Sequence, residues 1–66
     1  MNVKGEIVRL RAEAKRFREM AKARRADSKS AKDRRDWVAK LKADDRVREY
    51  VLAAQDRDNR IKELRT

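Results

Sequence analysis

The sequence predicts an all-α fold, a short helical hairpin or a three-helix arrangement within a single domain spanning 1–66. Three observations carry that prediction. Proline is absent and glycine occurs once, at Gly5. Ala, Arg, Lys, Glu and Leu, all strong helix formers, dominate the chain. Apolar residues recur at helical rather than strand spacing. A chain of 66 residues buries only about 60% of the surface it exposes when unfolded. Half of its residues are charged, and Leu, Ile, Val and Phe together number 12, so a lone helix set has little with which to build a core. The helices are therefore expected to need a partner, either a second copy or a ligand.

The first helix is expected over about 3–26. Val3, Ile7, Leu10, Ala14, Phe17 and Ala21 recur at alternating steps of four and three, a coiled-coil-like apolar seam. The seam ends where its next position falls on Arg24. Asp27-Ser28-Lys29-Ser30 then brings side chains that compete for backbone hydrogen bonds. Ser30 with Asp33 has the form of a capping box, so one helix is expected to end near 27 and another to start near 30.

The second helix, about 31–42, carries Trp37, Val38 and Leu41. The third, about 46–64, carries Val47, Tyr50, Val51, Ala54, Ile61 and Leu64. At about 100° per residue, Trp37, Leu41 and Val38 fall between about 0° and 100°, whereas Val47, Tyr50, Ala54, Ile61 and Leu64 fall at about 180° to 280°. One straight helix would point the two clusters in different directions. Asp44-Asp45 lies between them and suits a helix start, so a break is expected there. A single bent helix over 31–64, making a two-helix hairpin, is the alternative. The candidate core or dimer residues are the seam from Val3 to Ala21 together with Trp37, Leu41, Val47, Val51, Ile61 and Leu64.

With Ile7, Ala14 and Phe17 as core, Arg11, Arg18 and Arg25 occupy e positions and Glu6 and Glu13 occupy g positions. A parallel homodimer would then set Glu6 against Arg11 and Glu13 against Arg18 of the second copy. Pairs within the helix, Glu13 to Arg16 and Glu19 to Lys22, explain the same residues without a dimer.

Cysteine and histidine are both absent, which removes thiolate nucleophiles, imidazole bases and zinc ligation. Asp44-Asp45, Asp56 and Asp58 lack the further carboxylates or glycine-bearing loop of a calcium or magnesium site. Capping and i to i+4 pairing, Asp56 to Arg60 and Asp58 to Lys62, account for them better. No glycine-rich phosphate loop is present. The expectation is a non-enzyme with no cofactor, metal or small-molecule substrate. Neither a signal-peptide pattern nor a membrane-length apolar run occurs, so a cytoplasmic protein with no membrane partner is expected.

Charge is uneven. Residues 1–43 hold fifteen Lys and Arg against six acids, and residues 44–66 hold six of each. The first part is the expected working surface and the second the packing or assembly surface. The densest stretch is Lys22, Arg24, Arg25, Lys29, Lys32, Arg34 and Arg35, with Arg11 and Arg18 in support. Arginine outnumbers lysine thirteen to eight, and the guanidinium fork grips phosphate bidentately. These features suit DNA or RNA, bound mainly through phosphates in a regulatory or accessory role. A helical adaptor or inhibitor docking on an acidic protein, including a nucleic-acid-processing enzyme, has the same electrostatic signature. Trp37 beside Arg34-Arg35 could stack on a base, but as the sole tryptophan it is expected to anchor the core, and Tyr50 likewise.

Overall fold

The computed structural model describes residues 2–66. Two helices, α1 (Val3–Asp33) and α2 (Trp37–Arg65), pack against each other in a rod 51 Å long and 14 by 12 Å across. The hairpin expected as the alternative is therefore the architecture. Asn2 caps α1, its Oδ1 accepting from the Gly5 amide at 2.9 Å.

The end of α1 is built without glycine. The Asp36 amide reaches back to the Ala31 carbonyl at 2.8 Å and the Arg35 amide to that of Lys32 at 3.0 Å. Arg35 between them has φ 59°. This is a Schellman cap with arginine at the left-handed position. Asp36 at once caps α2, accepting from the Ala39 amide at 3.2 Å. Arg34, Arg35 and Asp36 thus reverse the chain.

Two expected breaks are corrected. No helix ends near 27, and Ser30 and Asp33 lie inside α1 rather than in a capping box. No helix starts at Asp44-Asp45, which α2 runs through. The reason is a tertiary contact that absorbs both competing side chains. Ser28 Oγ donates to Asp44 Oδ1 at 2.5 Å, and Lys40 Nζ donates to Asp44 Oδ2 at 2.7 Å. With Ser28 and Asp44 bonded to each other across the interface, and Asp44 also to Lys40 within α2, neither residue draws on the backbone.

The core is a thin line between the helices. Leu10, Ala14, Ala21 and Ala31 are buried from α1, and Ala43, Ala54 and Ile61 from α2. Ile7, Phe17, Val47, Tyr50, Val51 and Leu64 are half-buried beside them. Alanine dominates this interface, which lets the helices approach closely but buries few methylenes. Three expected core residues lie outside it: Val3 is exposed at the open end, and Trp37 and Leu41 are 56% and 63% exposed. The angular separation computed from the sequence explains the last two, because the side of α2 that packs on α1 holds Ala43, Ala54 and Ile61. Ala31, Ala43 and Ala54 join the core although none of them is in the expected core set.

At mid-length the Phe17 and Tyr50 rings stack with centroids 6.2 Å apart. The Arg57 guanidinium lies 5.0 Å from the Phe17 centroid, and its Nε is 3.5 Å from Glu13. Arg18 pairs with Asp58. Glu13 and Arg18 therefore each find a partner on α2 of the same chain, where the sequence had suggested a second copy. Among the described residues Glu13–Arg16, Glu19–Lys22, Asp56–Arg60 and Asp58–Lys62 form no ion pair; Glu13 and Asp58 serve the helix interface instead.

Candidate nucleic-acid interface

Steps of seven residues return to nearly the same side of an α-helix, drifting about 20° each time. Lys4, Arg11, Arg18, Arg25 and Lys32 therefore form one line along α1, and Lys15, Lys22 and Lys29, four residues after the middle three, lie beside it. All eight are exposed, and Glu19, four residues after Lys15, and Asp33, four after Lys29, border them. From Lys4 to Lys32 the stripe runs about 42 Å at 1.5 Å per residue. The groove between the helices on this flank, lined by Arg18, Ala21, Arg25, Val51, Ala54 and Gln55, lacks acids. Asp58 and Asp44 on α2 are both engaged, by Arg18 and by Lys40 with Ser28.

The opposite flank alternates charge. Arg9 lies 3.8 Å from Glu6 and 4.0 Å from Glu13, and Arg24 lies 3.0 Å from Asp27. Arg46 with Glu49 and Arg60 with Glu63 continue the pattern on α2. An open cleft near the turn is lined by Arg24, Arg34 and Arg46 together with Asp27, Asp45 and Glu49.

The hairpin therefore sorts the cations that the sequence had grouped. Arg11, Arg18, Lys22, Arg25, Lys29 and Lys32 fall on the stripe. Arg24 and Arg34 face the mixed cleft, and Arg35 stands at the apex. Lys4 and Lys15 belong to the stripe although the densest basic stretch excludes them; their seven-residue recurrence with Arg11 and Lys22 is the signal that finds them.

The stripe is unfavourable for α1 in isolation. Six like-charged neighbours at i+3 or i+4, from Arg11–Lys15 to Lys29–Lys32, oppose the helix by about 0.2–0.5 kcal/mol each at low salt, or roughly 1–3 kcal/mol together. A bound polyanion removes that repulsion.

The hydrogen bond from Lys40, then that from Ser28, hold Asp44 below the ordinary carboxylate value. Among the described residues no cluster of three or more candidate metal ligands occurs, and no helix is long and apolar enough to cross a membrane. No protein-family model, curated protein or solved structure matches this chain.

Proposed function

We propose that this protein binds nucleic acid through phosphates, using the basic stripe of α1, in a regulatory or accessory role. The segregation of charge supports the reading: of eight exposed cations on one flank, bordered by Glu19 and Asp33, Arg18 alone is paired among the described residues, with Asp58, against a run of ion pairs on the other flank. A solvated helix has no need to sort its charges in this way. Each phosphate neutralised releases condensed counterions, so several contacts add up to useful affinity although each is weak.

The second copy expected from the sparse apolar content is replaced in this reading by α2. It covers the α1 seam and takes up Glu13 and Arg18, so the binding unit is the single hairpin.

Titration of labelled duplex across a salt series tests the proposal. With about half of the eight cations engaged, log affinity should fall with log salt at a slope of roughly −4. Reversing Arg25 and Lys29 to Glu should weaken binding to every sequence and flatten the slope, whereas reversing Arg24 and Arg60, on the mixed flank, should do much less. Equal effects from the two pairs refute the stripe. No binding to any DNA or RNA at about 150 mM salt, with capture of an acidic protein lost on the Arg25 and Lys29 reversals, establishes the adaptor reading instead.

A further inference from the structure

The turn end of the hairpin carries two features that the stripe does not use. Arg35 holds the left-handed cap at φ 59°, a position where glycine carries no Cβ penalty and any other residue is strained. Strain kept at one exposed position points to a task for the side chain there. Two residues on, Trp37, the sole tryptophan, is 56% exposed, with Val38 and Leu41 at 64% and 63% beside it. In a chain so short of large apolar groups, three of them stand in solvent at one end.

We propose that this tip is a site for an unpaired nucleobase, which stacks on Trp37 while Arg35, at the apex, holds the adjoining phosphate. The inference rests on the phosphate-binding reading and deepens it, because it names single-stranded nucleic acid, or a strand with unpaired bases, as the ligand. The cations at the tip are continuous with the stripe through Lys29 and Lys32, so one strand can follow α1 and finish on the tryptophan. A single strand alternates anionic phosphates with flat apolar faces, and the tip offers a guanidinium group next to an indole, the combination that holds such strands without reading sequence.

Other occupants fit less well. Asp45 lies four residues after Leu41 and seven after Val38, on the same side of α2, and Asp33 and Asp36 flank the turn. The apolar face formed by Trp37, Val38 and Leu41 is thus little more than one turn long before it meets Asp45, too short to seat an amphipathic helix in a lipid interface. Two copies meeting at their tips would bring Arg34 and Arg35 against their own kind.

Tryptophan fluorescence of the full chain reads this site directly. The probes are an oligothymidylate about as long as the stripe, a duplex of equal length, heparin, and phosphatidylserine vesicles. The expected result is strong quenching by the single strand, and binding without comparable quenching by duplex and heparin. Trp37→Leu should weaken single-strand binding about tenfold while leaving duplex affinity and helical ellipticity unchanged, with Trp37→Phe between the two. Arg35→Gly should raise Tm by several degrees and weaken single-strand binding, separating fold from ligand.

Binding of single strands with no quenching, or with no loss in Trp37→Leu, overturns the tip while leaving the stripe standing. Absence of binding to every oligonucleotide overturns both. A fluorescence blue shift on vesicles alone, or one that grows with protein concentration and is abolished in Leu41→Ser, assigns the tip to a membrane or to a second copy and overturns the proposal.

Discussion

Replacing Phe17 with alanine should unfold much of this protein's margin. The ring is half-buried, so its loss falls below the roughly 3–5 kcal/mol of a fully buried phenylalanine. Three contributions disappear together. The stack on Tyr50 contributes about 0.5–1.5 kcal/mol, the Arg57 contact about 0.5–1 kcal/mol, and partial burial of the ring supplies the rest. An overall loss of about 2–3 kcal/mol follows, against a total stability of roughly 3–10 kcal/mol for a chain of this length. At about 4–8 °C per kcal/mol for a domain this small, Tm should fall by about 10–20 °C. Urea denaturation followed by helical ellipticity measures it. Phe17→Leu, which keeps the apolar volume but gives up both aromatic contacts, should lose about half as much. A loss below about 1 kcal/mol for Phe17→Ala would place the ring in solvent and refute the register of α1 on α2.

The Arg18–Asp58 pair spans the interface at the surface and should show a coupling of about 0.2–1 kcal/mol in a double-mutant cycle; Arg18→Asp with Asp58→Arg should recover stability while weakening phosphate binding. Asp44 is held below its ordinary value by Lys40 and Ser28. Its contribution to folding is thus complete above that ordinary value and is lost as pH falls through the lower one, and Asp44→Asn should flatten the acid limb of the stability profile in that range. An unchanged limb would remove the Ser28–Asp44 contact as the reason both helices continue. Sedimentation equilibrium at micromolar concentration should give a monomer of 7.9 kDa, and a stable dimer would show that α2 does not replace the second copy.

The α1 seam was legible because its period is regular: Leu10, Ala14 and Ala21 are buried, with Ile7 and Phe17 half-buried. The turn was not legible, since Arg34-Arg35-Asp36 holds neither glycine nor proline and its left-handed residue is an arginine. Ser28 and Asp44 misled for the opposite reason. Each has the local chemistry of a helix terminus, and only a contact 16 residues away in sequence neutralises that tendency. The two apolar directions on α2 were computed correctly, but they signify one helix with an inward and an outward face rather than two helices. The candidate interface was half visible. Local density of charge located the cations, yet sorting them onto flanks required knowing which side of α1 meets α2, and that is how Arg24 and Arg25, neighbours in sequence, part company.

The single three-residue turn also dictates an order of assembly. Contacts across the interface grow more distant in sequence away from the turn, from 16 residues at Ser28–Asp44 to 40 at Arg18–Asp58, so loop closure favours pairing that starts at the turn and zips toward the termini. The starting point is also the weakest place to begin, with a strained arginine, clustered positive charge and only Ala31 and Ala43 to bury. Nucleation is then the slow step, and an anion that settles among Lys29, Lys32, Arg34 and Arg35 lowers that barrier. A polyanion bound at this end would therefore speed folding of the hairpin as well as slow its unfolding.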